Sequence, residues 1–250
     1  MSFMIQSIIN KKACVLLTAT INPAGVVYTK RNDALTREND YKEAMKLWLN
    51  KTPYHIIFCE NSGYDLSSIK ENMDLYSDRC ECLSFAGNNF PGGLGKGYGE
   101  MLIFKHVLSN SKLFYESEFI VKVTGRYFIR NITDIVDNLR KERNIYISAD
   151  LKRGLTFADS RIFFSSPSFF SDFLIKKAEL VNDAAGIYFE HILANAVLEA
   201  IIGGYKWMPL PYRPVVVGYS GTDNIKFTES KLISSSWEVI HKIKNLCILR

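Results

Sequence analysis

The chain of 250 residues is 47% hydrophobic and 23% charged, which supplies a sizeable core and excludes a disordered or low-complexity protein. Its 31 Lys and Arg against 26 Asp and Glu are spread along the sequence, which argues against a nucleic-acid-binding arm and suits small anionic partners or an anionic membrane surface. No apolar run reaches membrane-spanning length, and the stretch ahead of Lys11-Lys12 is too short for a signal sequence. The expectation is a cytoplasmic protein, attached at most peripherally at the inner face of a membrane.

Residues 13–18 form a continuous apolar run between Lys11-Lys12 and Asn22-Pro23, and a run without alternation predicts a strand buried on both faces, as in parallel sheets. Ala44, Leu47 and Trp48 at helical spacing predict a helix over 40–50, and residues 55–59 predict a second buried strand ending in Glu60-Asn61-Ser62-Gly63. A helix over 69–76, a strand over 81–85, a glycine-rich stretch over 90–100, a helix over 100–109 and a strand over 119–123 follow. The second half is less regular, with strands over 144–148 and 161–164 and helices over 167–174 and 187–202. Prolines break it near Trp207, and an amphipathic helix over 235–246 would carry Trp237, Val239, Ile240, Ile243 and Leu246 on its apolar side. Five cysteines, Cys14, Cys59, Cys80, Cys82 and Cys247, lack C-x-x-C spacing and read as reduced thiols.

This alternation predicts one continuous α/β domain built on a mixed, mainly parallel sheet flanked by helices, with ligands bound beyond the carboxyl ends of the strands. Each strand end there is polar or glycine-bearing: Thr18, Ala19 and Thr20 after the first strand, Glu60 and Asn61 after the second, and Thr124, Gly125, Arg126 and Tyr127 after the fourth. After the third comes Phe90-Pro91-Gly92-Gly93-Leu94-Gly95-Lys96-Gly97-Tyr98-Gly99-Glu100. Glycines that admit a bulky anion, free N–H groups at a helix start and the Lys96 ammonium make this a candidate phosphate site; a plain surface loop is the other reading.

The arrangement resembles that of GT-A glycosyltransferases, especially the small enzymes of bacterial O-antigen and capsule pathways, over most of the chain at the level of fold pattern. The resemblance implies a Rossmann-like single domain, with residues 1–135 holding a nucleotide-sugar donor and residues 136–250 an oligosaccharide or lipid-linked glycan acceptor. It places Thr18, Ala19, Thr20, Glu60 and Asn61 around base and ribose, and Gly95, Lys96, Gly97 and Glu100 along the rest of the donor. The family's fourth strand ends in an Asp-x-Asp motif for a divalent metal, where this chain has Thr124-Gly125-Arg126-Tyr127. No metal cofactor is therefore expected, and Arg126 with Lys96 stands in for the ion, since a guanidinium binds two phosphate oxygens in its planar fork. Arg31 and Arg37, in the polar stretch over 29–40, either reach the diphosphate or stay solvated. Lys122 reads as structural.

An attacking acceptor hydroxyl needs a base. Glu190, followed by His191 at a helix start, resembles the acceptor-side Glu-Asp motif of inverting enzymes and is the first choice; His191 would orient it, and Asp150 is the competing base. The segment over 218–223 reads as a turn or a lid. The expected activity is inverting, metal-independent transfer of a hexosyl group from a nucleotide sugar, with a UDP-sugar the expected donor. A sugar nucleotidyltransferase and a non-catalytic nucleotide- or carbohydrate-binding subunit stay open as alternatives.

Overall fold

In the computed structural model, residues 13–23, 29–142 and 144–227 are described, together with His241 and Ile243. The N-terminal stretch over 1–12, Cys247 and, apart from those two residues, the helix expected over 235–246 lie outside the described residues. Ile243, expected on an apolar face, is exposed.

β1 (Ala13–Ala19) is buried at every position, as an apolar run without alternation requires of a strand covered on both faces. It sits inside a seven-stranded sheet with β2 (His55–Glu60), β3 (Cys80–Ser84), β4 (Phe119–Thr124), β6 (Ile147–Ser148), β9 (Ile162–Ser165) and β10 (Trp207–Met208). The order is β10-β6-β9-β4-β1-β2-β3. Strands β4, β1, β2 and β3 pair in parallel, and β9 runs antiparallel to both neighbours. The expected mixed, mainly parallel sheet is what the chain forms, and strands from both halves of the sequence share it.

Because β1 shows alternate residues to opposite faces, two cores form. Val15 and Leu17 pack with Tyr41, Met45 and Trp48 of α1 (Ala34–Lys51), Ile69 of α2 (Ser67–Met73) and Ile135 of α5 (Ile132–Lys141). Cys14 and Leu16 pack on the other side with Met101, Phe104 and Val107 of α3 (Gly95–Asn110) and Leu193 and Val197 of α6 (Phe189–Ile202). The short helix α4 (Lys112–Glu116) leads into β4, and a helical run over 167–180 passes from α through π to 3-10 geometry.

Helix α1 begins six residues ahead of the expected start. The Asp33 carboxylate accepts the Thr36 N–H at 2.8 Å as an N-cap, and Arg37 and Glu38 are buried in the added turn. The stretch read as a polar loop is therefore helical from residue 34. Beside the main sheet, β5 (Tyr127–Ile129), β11 (Val216–Tyr219) and β12 (Lys226–Phe227) form a three-stranded antiparallel sheet, and β7 (Leu151–Lys152) pairs with β8 (Phe157–Ala158).

Candidate active site

The carboxyl ends of β1, β2 and β4 open with the start of α3 and the start of α6 into one cavity of about 300 Å³. Of the residues expected there, Thr18, Ala19, Thr20 and Asn61 line it from the first two strands, and Thr124, Arg126 and Tyr127 from the fourth. Lys96, Gly97 and Glu100 line it from α3, and Glu190 from α6. Lys96 and Arg126 thus face the same space. The segment after β11 crosses it, with Ser220, Gly221 and Thr222 in the lining.

One wall is cationic. The Arg37 guanidinium donates from Nε to the Thr20 carbonyl at 2.7 Å, from Nη1 to the Arg31 carbonyl at 3.0 Å and from Nη2 to the Tyr41 hydroxyl at 3.2 Å. Arg126 donates from Nε to the Tyr219 carbonyl at 3.0 Å and from Nη1 to the same Tyr41 hydroxyl at 3.4 Å. Among the described residues neither guanidinium pairs with a carboxylate, although Arg37 is only 4% exposed. Burial draws the Arg37 pKa down and the Arg126 charge adds to that effect. For Arg126 burial also works against the charge but is outweighed, chiefly by facing Tyr41 and Tyr127, so that its pKa rises. Two guanidiniums that share Tyr41 and feel Asp40 only at a distance, since it is bonded to Arg31, make a candidate site for a ligand anion.

The same cavity also holds carboxylates in fixed orientation. Glu100 accepts on Oε1 from the Thr18 hydroxyl at 2.7 Å and from the Lys122 ammonium at 2.6 Å. Lys122, fully buried on β4, also donates to the Ser160 carbonyl at 2.5 Å, and the Ser160 hydroxyl donates to Glu190 Oε1 at 2.7 Å. Lys122 is thus buried, as a structural residue would be, yet its ammonium pairs directly with Glu100 and bonds the backbone of Ser160, whose hydroxyl holds Glu190.

The glycine-rich stretch departs from its expected role. Helix α3 starts at Gly95 instead of near Glu100, so Gly95, Lys96 and Gly97 form its first turn. The group at that helix start is the chain's own: the Asp183 carboxyl faces the backbone N–H groups of Lys96 and Gly97, its Oδ2 is buried without a hydrogen-bond partner, and its pKa is raised by burial, with the Lys96 charge opposing and Glu190 adding. At Gly97 an added Cβ would lie 2.9 Å from the Phe189 Cβ, so this glycine serves close packing of α3 on α6. A free phosphate cradle is not what this turn offers. Gly95 itself has φ of +76°, and a Cβ there would sit 2.0 Å from Asp183 Oδ2. Gly95→Ala is expected to lower stability by about 2 kcal/mol or more through backbone strain and this clash. Gly93→Ala, whose Cβ would meet only Ala184 at 3.4 Å, should stay within about 0.5 kcal/mol of the parent in the same thermal denaturation.

Six other expected site residues stand outside the lining. Gly95 is the helix start just described. The Arg31 guanidinium is bidentate on Asp40, at 2.5 and 2.7 Å, and stacks 4.3 Å over Tyr219; it braces the segment after β11 instead of facing the cavity. The fully buried Glu60 accepts the backbone N–H groups of Ile21 and Ser62 at 2.9 and 2.8 Å, which orders the strand ends. Gly125 ties β4 to β1 through its N–H and the Thr18 carbonyl at 2.9 Å. Asp150 accepts the Leu210 N–H at 3.0 Å and lies 4.0 Å from His241, with its pKa raised by burial; its carboxyl is spent on internal contacts. His191 accepts the Tyr188 N–H at 3.2 Å as a helix cap and stacks on the Tyr188 ring. Sequence reasoning missed Tyr41 and Asp183 in the lining, and it left Ser160 and Arg161 undecided between a site role and a structural one. No local signal marks the first two, because they reach the site from distant parts of the chain.

Among the described residues no group of three or more His, Cys, Asp or Glu side chains converges as metal ligands, and β4 ends in Thr124-Gly125-Arg126. These residues do not fit a divalent ion at the strand end, since a hard cation calls for carboxylate oxygens there. No described helix is long and apolar enough to cross a membrane.

No known protein-family model and no curated protein matches the sequence. Solved structures of similar chain path include a cytidylyltransferase from Leptospira borgpetersenii serovar Hardjo-bovis, 15% identical with a TM-score of 0.46 over 96% of this chain and 97% of that one. A mannosyltransferase from Pyrobaculum calidifontis, solved with GDP-Man and Mn²⁺, is 9% identical with a TM-score of 0.48 over 95% of this chain and 62% of its own. A glycosyltransferase from Streptococcus pneumoniae is 10% identical with a TM-score of 0.46 over 80% of this chain and 45% of its own. At such identities the likeness is one of chain path, and the site's own residues carry the functional reading.

Proposed function

We propose that this chain is a glycosyltransferase that uses a nucleotide-sugar donor, with inversion at the anomeric carbon and without a divalent metal. The observation that carries this reading is a single cavity with a pair of carboxylate-free guanidiniums, Arg37 and Arg126, on one wall and an oriented carboxylate, Glu190, on another. The donor diphosphate binds the guanidiniums, with Lys96 at the mouth, where its ammonium now donates to the Thr222 hydroxyl at 2.6 Å. Glu190 takes the proton of the acceptor hydroxyl as the new bond to the anomeric carbon forms. The bond from that carbon to phosphate oxygen breaks, and its electron pair leaves on the diphosphate, whose developing charge the guanidiniums stabilise. A glycan of bacterial surface polysaccharide, O-antigen or capsule, is the acceptor class this reading proposes, at the cytoplasmic side of the membrane.

A nucleotide panel tests the reading first. A ligand that binds only the folded chain stabilises it by about 2.7 kcal/mol at a hundredfold excess over Kd. UDP or GDP should therefore raise Tm by several degrees, at about 2–4 °C per kcal/mol for a chain of this size. Turnover with chelator present should release nucleoside diphosphate from the sugar donor. Loss of all turnover under chelation would remove the metal-free part, and release of pyrophosphate from a nucleoside triphosphate would reassign the chain to nucleotidyl transfer.

A further inference from the structure

Diphosphate binding alone does not call for a lysine at the centre of the sheet. Lys122 is 0% exposed, its ammonium lies 5.8 and 6.0 Å from the Phe189 and Phe163 ring centres, and its polar contacts are Glu100 Oε1 and the Ser160 carbonyl. Burying such a charge is costly unless it is paired and hydrogen-bonded. Here the pairing fixes the carboxylate part of the lining, Glu100 and Glu190, which serves as the floor for a bound ligand. Both bonds to Glu100, from Lys122 and from Thr18, fall on Oε1, and Glu190 likewise receives Ser160 on its own Oε1. Neither Oε2 is a buried atom left without a partner, so each glutamate keeps one oxygen open toward the cavity that both residues line.

The cations on the walls do not offset this floor. Arg161 lines the cavity, but it is committed to Asp159, with Nε on Oδ1 at 2.9 Å and Nη2 on Oδ2 at 2.6 Å. Arg37 and Arg126 are held toward the β1 end and the segment after β11 by the Thr20 and Tyr219 carbonyls, and Asp183 adds a further carboxyl beside Lys96. A ligand group resting on the floor therefore meets acceptor oxygens. A hydroxyl or amine donates to them, whereas a carboxylate meets the like charge of Glu190 and of Glu100, the latter offset in part by Lys122, which is how a site discriminates by repulsion.

We infer that Lys122, through Glu100 and through Ser160 and Glu190, makes this floor a specificity filter for nucleotide-linked sugars whose rings carry hydroxyl or amine donors, rejecting those that carry a carboxylate. This rests on the donor reading above. Titration calorimetry with UDP, UDP-glucose and UDP-glucuronate tests it, since the two sugars differ only at the carboxylate-bearing carbon; GDP, GDP-mannose and GDP-mannuronate are run alongside. The parent protein should bind the neutral sugar at least tenfold tighter than the acidic one. Glu100→Gln, which keeps the shape and removes the charge, should narrow that ratio to threefold or less. The double variant Lys122→Met with Glu100→Gln, which strands no charge, should narrow it as far. Equal affinity of the parent for neutral and acidic sugars, or an unchanged ratio in folded variants, overturns the filter and leaves the donor reading standing. If neither UDP nor GDP binds, both fall together.

Discussion

Glu190→Ala is expected to abolish sugar transfer, by about 10²- to 10⁴-fold in kcat, the usual contribution of a positioned general base. Binding of the nucleoside diphosphate should persist, because among the described residues no hydrogen bond or ion pair links Glu190 to Arg37 or Arg126. The fold should persist too. Glu190 lies in the first turn of α6, half-buried, and among the described residues its side chain accepts one hydrogen bond, from the Ser160 hydroxyl at 2.7 Å. An acidic residue in a first turn contributes about 0.3–1 kcal/mol through the helix dipole, so the variant's Tm should fall by only a few degrees. Glu190→Gln separates chemistry from shape. The amide keeps an oxygen for the Ser160 hydroxyl but cannot take a proton, so it should be nearly as inactive as alanine. A glutamine variant that turns over at the parent rate would show that another group removes the proton, with Asp183 and Glu100 the remaining carboxyls in the lining.

What the sequence disclosed and what it hid follow from where the information lies. Strand β1 was legible because its burial on both faces is written in seven consecutive residues, and the same holds for the apolar runs of β2 and β4. The ends of these strands were legible as site positions because a parallel sheet brings its carboxyl ends together. Thr18, Asn61 and Arg126 could therefore be placed near one another without coordinates. The glycine-rich stretch misled for a physical reason. Glycines admit any close neighbour, and composition does not say whether that neighbour is a ligand phosphate or, as here, the Asp183 carboxyl and the Phe189 side chain. Asp150 and His191 illustrate a second limit. Each is a titratable residue in a plausible place, but its atoms are used by Leu210 and by the Tyr188 N–H, contacts that depend on side-chain direction. Helix α1 shows a third limit: Asp33 is a readable cap, yet the polar residues after it, Arg37 among them, are buried only because Thr20 and Tyr41 supply their partners.

Arg126→Ala should weaken both donor binding and turnover, which sets it apart from the Glu190 variants. A hydrogen bond to a charged group is worth about 1.5–3 kcal/mol, so loss of this guanidinium should raise the donor Kd by about 10- to 100-fold. The leaving diphosphate gains charge as the glycosidic bond breaks, and losing a donor aimed at developing charge costs about 10²- to 10³-fold in kcat. Arg37 stays in place and keeps a residual affinity, since it is held independently by the Thr20 and Arg31 carbonyls. Arg126→Lys tests geometry against charge. An ammonium restores the positive charge but not the planar fork that bonds two phosphate oxygens while Nε remains on the Tyr219 carbonyl. The lysine variant should therefore recover part of the binding and little of the turnover. Arg126 also ties the segment after β11 to the cavity, so displacement of that segment is a second explanation for the loss. Arg31→Ala is the control for that explanation, because Arg31 braces the same segment through Tyr219 and Asn224 without lining the cavity. If Arg31→Ala reproduces the full loss of affinity and rate, Arg126 acts as a brace; if the loss belongs to Arg126 alone, its guanidinium is the group that holds the phosphates.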